Sequence, residues 1–336
     1  MLSDAFSSSK NALTTISRYL DRIVAHFRQQ GDTRVSRIDF ATQRGEDGFG
    51  SDWHPSRKTH ELMPNSDNNA GKNMNWSRRA MTTTSDVFEV STEFPGGNAI
   101  IESIVGDTIR LKPDLRDTEG NWFYWSIRIK GAAGRKLNLV FTEQNPLADR
   151  GPAMSLDQGR TWRWLGRQDG ARDRITITIP ADSDDVILSF GMNYTLRTWH
   201  RFLDTLPGEP RVKLRTLVQT RQGRDVPMLQ TARTDGKAPY RLLLTARSHA
   251  CEMMANYVME GMLQSMLADD ELGQWFTENV EVTAVPFVDM DGVENGDQGK
   301  NRKPRDHNRD YAPPHVHVET GALVKWAADF LTGVRR

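Results

Sequence analysis

The hydrophobic runs of this chain follow one pattern up to about residue 206 and a different pattern beyond it. From about residue 86 to 206, short apolar runs such as NWFYWSIRIKG and KLNLVFTEQ follow one another, each closed by Gly, Asp, Asn or Pro. Beyond LPGEP, strand-like runs alternate with helical ones. Successive strands without long helices favour two packed sheets, whereas alternating strands and helices favour an α/β domain. We therefore expect the α/β fold class, with a β-sandwich domain at 86–206 ahead of an α/β domain at 207–336.

The first 85 residues show a weaker pattern. A helix is predicted by five apolar residues at helical spacing: Ile16, Leu20, Ile23, Val24 and Phe27. Polar, glycine-rich sequence follows to about residue 55, and residues 64–85 are rich in Asn, Ser and Thr. Such composition is typical of a linker. We therefore separate a region at 1–63 and a linker at 64–85 from the two domains.

Composition excludes several classes of partner. The chain has 44 basic and 44 acidic residues, so no net field attracts nucleic acid or an anionic membrane. Cys251 is the single cysteine, so an internal disulfide is excluded. No signal peptide is recognisable, and no run approaches the ~20 apolar residues of a membrane span. As written, the sequence predicts a cytoplasmic protein that binds neither nucleic acid nor membrane.

The stretch YRLLLTARSHACE joins a predicted strand to a predicted helix. Its strand suits burial, which places His249 at the carboxyl end, where α/β folds hold ligands. Glu252 is predicted to open a helix that runs to about residue 268, in its exposed first turn. Histidine nitrogen and carboxylate oxygen are good zinc donors, although a first-turn glutamate also complements the helix dipole. The predicted core face of this helix is Met253, Met254, Tyr257, Val258, Gly261, Met262, Met266 and Leu267.

A second polar stretch follows the next predicted strand, at residues 285–311. A calcium loop is excluded because Val293 and Glu294 stand where an oxygen donor and a glycine are needed. Arginines here are interleaved with Asn and Gly residues, which shape a tight backbone and add amide donors. The guanidinium fork matches a planar carboxylate in two hydrogen bonds. The loop therefore favours carboxylate binding.

Both stretches resemble motifs of the zinc carboxypeptidases, in the cytosolic-carboxypeptidase-like branch. ARSHACE resembles the His-x-x-Glu zinc motif and DHNRDY the Asn-Arg motif, and the branch also has a β-sandwich ahead of its catalytic domain. The resemblance covers roughly residues 86–336. It implies Zn²⁺ as cofactor, with His249 and Glu252 as ligands. The resemblance also assigns substrate roles to the loop: Asn308 and Arg309 hold the substrate's terminal carboxylate, and Arg302 polarises the scissile carbonyl, with Arg305 as the alternative.

The same resemblance implies residues that the chain does not show. Family members have a third zinc ligand, a histidine on a later strand, and then a glutamate general base. The sequence ends at Arg336, so we expect a C-terminally truncated catalytic domain that holds zinc weakly. His315 and His317, in HVHVE, are the local candidates for the third ligand.

Residues 1–63 carry a second resemblance. GEDGFGSDWHPSRKTHELM is similar to the closing segment of SGNH-type carbohydrate esterases, in which DWHPS holds the catalytic histidine, here His54. A histidine activates only a serine that is present, and no Gly-Asp-Ser-type block precedes residue 45. We interpret residues 1–63 as an esterase remnant.

Three functions remain from the sequence. The first is a zinc metallocarboxypeptidase that acts on peptide or protein C-termini and is impaired by the missing ligand and base. The second is a module that binds peptide C-termini without cleaving them. The third is an acetyl esterase that acts through His54.

Overall fold

The computed structural model describes residues 25, 29, 82–84, 87–166, 171–208, 210–233 and 235–332. The chain forms two compact units, Met1–Met74 and Asn75–Arg336. All elements below belong to the second unit. The predicted esterase remnant with His54 and most of the predicted linker lie outside the described residues, so these stay predictions. In the parts that are described, no helix is long and apolar enough to cross a membrane.

Two sheets form a sandwich in the first half of the second unit. The larger sheet has the strand order β1-β2-β5-β10-β7-β8 and the smaller one β3-β4-β6-β9. The strands of the larger sheet are β1 (Thr82–Thr84), β2 (Glu89–Ser91), β5 (Ser126–Lys130), β7 (Ala153–Ser155), β8 (Arg163–Trp164) and β10 (Asp185–Ser189). Those of the smaller sheet are β3 (Ile100–Val105), β4 (Thr108–Lys112), β6 (Lys136–Phe141) and β9 (Arg174–Thr178). Strand β1 lies inside the stretch that the sequence predicts as a linker.

Alternation along the strands builds the core between these sheets. In β5, Ile127 and Ile129 are buried beside the fully buried Trp125, and they join one apolar cluster with residues of the opposite sheet such as Leu137 and Leu139. Burying one face of each strand removes apolar area from water, at about 25 cal/mol per Å². The predicted β-sandwich is therefore present.

A short helix that the sequence analysis did not predict follows the sandwich. It is α1 (Leu196–Leu203), and it buries Trp199 and Phe202. Both rings belong to the apolar cluster of the α/β part, where Trp199 lies 6.5 Å from Phe287 between ring centroids. The helix therefore packs the end of the sandwich segment into the second core.

The second half contains one mixed sheet with helices, as the α/β prediction requires. Its strand order is β11-β12-β14-β13, with β13 and β14 parallel and the other pairs antiparallel. The strands are β11 (Val212–Gln219), β12 (Asp225–Ala232), β13 (Tyr240–Thr245) and β14 (Val280–Val285). The helices are α2 (Met254–Leu267), α3 (Glu271–Asn279), α4 (Met290–Asn295) and α5 (Val318–Thr332), with a 3₁₀ turn at His307–Arg309.

Helix α2 corrects two predictions. It begins at Met254, so Glu252 precedes the helix and is not in its first turn. Of the predicted core face, Met254, Val258 and Met262 are exposed. The residues that the helix buries are Asn256, Met259, Leu263, Met266 and Leu267. Met253, Met266 and Leu267 of the predicted face are buried, so the prediction was right in part. Apolar residues occur on more than one face of this helix, so periodicity alone did not select the buried face.

The loops after the two parallel strands are hydrogen-bonded to each other. The amide of Ala246 donates to Val285, and the amides of Val288 and Asp289 donate back to Ala246 and Arg247. Parallel strands bring their carboxyl ends to the same sheet edge. This edge therefore brings the segment with His249 beside the loop that begins at Asp289.

Candidate functional site

The corner after β13 is held by a buried arginine. Arg247 is 4% exposed and has a φ of 62°, in the left-handed region. Its guanidinium donates to the carbonyls of Ala250 and Tyr194 and to the side chain of Asn256 on α2. The corner that contains His249 is therefore fixed by contacts to three other residues.

His249 lies between two carboxylates. Its Nδ1 is 3.1 Å from Glu252 Oε1, and its Nε2 is 3.1 Å from both oxygens of Asp306. The His249 side chain is 14% exposed, and that of Glu252 is 45% exposed. The structure therefore brings the two predicted metal ligands together. It also adds Asp306, which the sequence analysis did not single out.

Charge pairing dominates the electrostatics of this group. Burial lowers the pKa of His249, but hydrogen bonds to Asp306 and Glu252 outweigh it and raise the pKa to about 9. Burial raises the pKa of Glu252, yet His249 and Lys300 bring it down to about 2. The pKa of Asp306 is lowered because His249 and backbone amides outweigh its burial. The metal-free group is thus an ion-pair network.

Lys300 contacts the same carboxylate. Its Nζ is 2.7 Å from Glu252 Oε1, the oxygen that also faces His249, and 5.2 Å from the centroid of the Trp122 ring. An ammonium and a metal ion at Oε1 would compete for the same carboxylate oxygen.

The donor geometry fits zinc at two positions. Zinc bonds of ~2.0–2.2 Å place two ligands of a tetrahedral ion about 3.3–3.5 Å apart, close to the observed 3.1 Å between His249 Nδ1 and Glu252 Oε1. A zinc-bound histidine typically donates its other ring N–H to a carboxylate, and Asp306 is placed to accept it. Among the residues that the structure describes, no third His, Cys, Asp or Glu completes a donor cluster with this pair.

Asp306 also positions the Asn-Arg motif. It accepts hydrogen bonds from the backbone amides of Asn308, at 2.7 Å, and Asn301, at 3.0 Å. Asn308 and Arg309 occupy the 3₁₀ turn and are exposed. One carboxylate therefore fixes both the His249 ring and the turn that presents the predicted carboxylate clamp.

Arg302 lies in a different environment from the one that its predicted role requires. Its side chain is 9% exposed, and its three guanidinium nitrogens donate to Asp117, Asp289 and Asp297 at 2.9, 2.6 and 2.8 Å. Asp117 comes from the sandwich half, whereas Asp289 precedes helix α4 and Asp297 follows it. Most of its five N–H donors are thus engaged by these carboxylates, and its role toward a substrate carbonyl stays a prediction.

The alternative, Arg305, is also engaged. Its Nη1 donates to Asp310 at 2.9 Å and to the carbonyl of Pro314 at 2.8 Å, and its side chain is 35% exposed. Arg305 therefore braces the segment after the 3₁₀ turn. Of the three predicted substrate arginines, Arg309 is the most exposed to solvent in this loop.

The local candidates for a third zinc ligand do not join His249 and Glu252. His315 Nδ1 is 2.7 Å from the carbonyl of Asp310. His317 groups with His307 and Glu319, and neither His249 nor Glu252 belongs to that cluster. The physical reason is that Asp310 accepts the amide of His317 and draws the HVHVE segment toward itself.

The sequence analysis did not identify Asp306, because its role depends on its distance from His249 in the folded chain. Its one sequence signal is its position two residues before Asn308, which places a carboxylate at the start of the turn. Helix and turn starts favour such residues for capping alone, so the signal does not distinguish a cap from a partner of His249. Only the folded chain makes that distinction, because it brings Asp306 next to His249 although 57 positions separate them in the sequence.

Comparisons with known proteins concern the sequence and the fold. No family model matches the chain. Human cytosolic carboxypeptidase 4 is 28% identical over 161 residues, which are 43% of this chain and 14% of that protein. A solved metallo-carboxypeptidase from Burkholderia cenocepacia superposes with a TM-score of 0.60 at 21% identity, covering 72% of this chain and 67% of the other. The chain is similar in sequence to part of a cytosolic carboxypeptidase and shares the fold of a solved metallo-carboxypeptidase. The predicted α/β class is thereby confirmed.

Two further facts bear on this relationship. The chain spans only a small part of the cytosolic carboxypeptidase that it matches. A separate match of 45 residues is 42% identical to the cellulase/esterase CelE of Acetivibrio thermocellus and covers 13% of this chain and 6% of that protein. The esterase remnant stays a prediction.

Proposed function

We propose that this chain provides the zinc pair and the carboxylate clamp of a metallocarboxypeptidase that acts on peptide or protein C-termini. The observation that carries the proposal is the 3.1 Å approach of His249 Nδ1 to Glu252 Oε1, with Asp306 behind the ring. Bound zinc would supply Lewis acidity and an activated water. A cytoplasmic location, in line with the relative's description as cytosolic, belongs to the same proposal.

The chain's own residues have defined tasks in this proposal. His249 binds through Nδ1 while its Nε2 proton stays on the Asp306 side, which fixes the tautomer. Asn308 and Arg309 orient the terminal carboxylate, because an amide and a guanidinium together offer donors to both carboxylate oxygens. Arg302 keeps its predicted carbonyl-polarising role as part of the proposal, with Arg305 as the alternative.

The deciding experiment measures zinc and cleavage on the same preparation. Purified chain is equilibrated with zinc and analysed for bound ion, and release of C-terminal residues from peptides is followed. One ion that depends on His249, together with residue release, supports the proposal. If zinc binds at His249 but no peptide with a free C-terminus is cleaved, the chain is not a carboxypeptidase by itself.

A second candidate is a module that binds C-termini without cleaving them. The observation that favours it is the 2.7 Å contact of Lys300 with Glu252 Oε1, because this salt bridge neutralises a ligand oxygen without any metal. The clamp residues remain exposed in that state. Peptide binding that is unchanged by a chelator, without cleavage in the presence of zinc, distinguishes this candidate from the enzyme.

Replacing Arg309 is expected to weaken binding of free C-termini. A charge-assisted pair contributes roughly 1.5–3 kcal/mol, so Arg309→Ala should reduce affinity for a peptide with a free carboxylate about 10- to 100-fold. A C-terminally amidated peptide should be affected little. Fluorescence anisotropy with both peptides measures this. The matched control is Lys303→Ala, which removes an exposed cation of the same loop that pairs with Glu119; an equal loss in both variants contradicts a specific clamp.

Replacing Asp306 is expected to weaken zinc binding. Loss of the carboxylate that orients a ligand histidine typically lowers metal affinity 10–100-fold. We expect Asp306→Asn to lower zinc affinity by about 10- to 100-fold for this reason. Competition with a chromogenic chelator measures it. Asp270→Asn is the control, since Asp270 also caps a helix by accepting from Gly273 but has no metal ligand beside it. Unchanged zinc affinity in Asp306→Asn contradicts the assignment.

A further inference from the structure

A second group of donors lies after the 3₁₀ turn. Side-chain ligand atoms of His307, His317 and Glu319 all lie within 4.8 Å of one another. His307 belongs to the 3₁₀ turn, whereas Glu319 lies in the first turn of α5. His307 is 2% and Glu319 is 5% exposed. Two segments of the chain therefore direct two imidazoles and a carboxylate into one buried place.

The His307 ring lacks hydrogen bonds. Both of its nitrogens are buried and have no partner within hydrogen-bond distance. The nearest carboxylates are Asp289, 3.7 Å from Nδ1, and Glu319, 4.0 Å from Nε2. Buried polar atoms are almost always satisfied, so an unpaired pair of ring nitrogens calls for a partner that the protein atoms do not supply. An ion bonded to Nε2 would satisfy one of them.

The distances allow an ion between these groups after a small adjustment. Two ligands of one tetrahedral zinc lie about 3.3–3.5 Å apart, so the 4.0 Å between His307 Nε2 and Glu319 Oε2 has to close by about half an ångström. Asp289 is then placed behind His307 Nδ1, as a carboxylate that orients a ligand histidine.

His317 has the tautomer that a ligand needs. Its Nε2 is 2.8 Å from the carbonyl oxygen of Arg305. A carbonyl only accepts, so Nε2 carries the proton, and in the neutral imidazole Nδ1 then has the lone pair. A backbone carbonyl is a frequent partner for the second ring nitrogen of a metal-bound histidine. The rings of His307 and His317 stack at 3.6 Å between centroids with an interplanar angle of 17°. A metal–nitrogen bond lies in the plane of the imidazole, so a shared ion requires one of the two rings to rotate.

We propose that His307, His317 and Glu319 bind a divalent transition-metal ion at a site separate from His249 and Glu252. Two imidazole nitrogens and one carboxylate suit Zn²⁺ or Co²⁺, whereas Mg²⁺ and Ca²⁺ prefer oxygen ligands alone. The ion ties the 3₁₀ turn to α5 and so fixes the residue next to Asn308. The proposal does not depend on carboxypeptidase activity.

The proposal is tested by cobalt titration of chains in which His249 or Glu252 has been replaced. Full-length His249→Ala chain is stripped with a chelator and titrated with Co²⁺ while its visible absorption is recorded, and Glu252→Gln provides a second such background. One ion per chain is expected in both. Adding His317→Ala or Glu319→Gln should lower the affinity at least about 10-fold. The control His315→Ala alters a neighbouring histidine outside the cluster and should leave the affinity unchanged.

The outcomes are distinguishable from those of the carboxypeptidase test. Absence of stoichiometric binding in both backgrounds, or equal affinity with and without Glu319→Gln, overturns the site. Glu319→Gln preserves the shape of the side chain, so a folding failure of His317→Ala leaves the test standing. Far-UV circular dichroism of the metal-free chains verifies the fold. Cleavage of peptides by the unaltered chain is scored separately and does not enter this result.

Discussion

Replacement of Arg302 by alanine is expected to lower the free energy of unfolding by about 3–5 kcal/mol, the cost of breaking a buried ion pair from one side. The variant leaves Asp289 and Asp297 without their guanidinium, and their side chains are only 1% and 10% exposed. Asp117, the third partner, is also freed. Asp117 and Asp289 are then uncompensated in a medium that solvates them poorly, whereas Asp297 keeps its ion pair with Arg116.

The destabilisation caused by Arg302→Ala should become smaller as the pH falls. Burial already raises the pKa of Asp117 and Asp289, although Arg302 opposes that rise. Without Arg302 these groups protonate more readily in the folded state. The variant is therefore expected to be most destabilised at neutral pH, and the difference from the unaltered chain should shrink as the pH falls and the carboxyl groups become neutral.

Urea unfolding at pH 7 and pH 5 measures both parts of this expectation. Arg110→Ala is the control, because Arg110 is an exposed arginine of β4 whose loss should change stability by no more than about 0.5 kcal/mol. A loss of under about 1 kcal/mol for Arg302→Ala would mean that solvent, and not this guanidinium, stabilises the three carboxylates. Arg302 would then be free to contact substrate.

Arg302 also shows why the site was only partly predictable from the sequence. Its motif position suggested a substrate role, because local sequence contains no information on the carboxylates that the fold brings from residues 117, 289 and 297. His249 and Glu252 lie only three residues apart across one corner, so their 3.1 Å approach was accessible to local reasoning. Asp306 and Lys300 reach the same group through chain reversals that no local pattern specifies.

The fold, like the site, was predictable from the sequence only where local patterns specify it. Strands β13 and β14 were predicted because short apolar runs between polar ends are typical of buried strands. Helix α1 was missed because eight residues with Arg and His at its end give a weak pattern, and its stability comes from the burial of Trp199 and Phe202 against the α/β core. Tertiary packing supplied what local propensity did not.

Replacement of Asp310 by asparagine is the second change with a large expected effect, about 3 kcal/mol of unfolding free energy. The Asp310 side chain is 0% exposed and accepts from the amides of Val316 and His317, from Thr320 Oγ1 and from Arg305 Nη1. Asparagine keeps one acceptor oxygen and turns an amide donor toward groups that are themselves donors. Helix α5 would lose the carboxylate that anchors its start.

The pH dependence of this change has a defined sign. Burial raises the pKa of Asp310, but the hydrogen bonds, with that from Thr320 the largest, hold the pKa well below its usual range. A depressed folded-state pKa gives stability that is complete above the unfolded value of about 3.9 and is lost as the pH falls toward the folded value. The difference between the unaltered chain and Asp310→Asn should therefore be equal at pH 7 and pH 5, and about 1 kcal/mol smaller at pH 3.

Chemical unfolding at these three pH values, with a chelator present to exclude bound metal, measures the difference directly. Asp269→Asn serves as the control, because the Asp269 side chain is 91% exposed and pairs only at the surface with Arg211. A difference that stays constant from pH 7 to pH 3 would mean that the charge of Asp310 contributes nothing. In that case the loss in Asp310→Asn comes only from replacing an acceptor oxygen by an amide donor, which faces groups that are themselves donors.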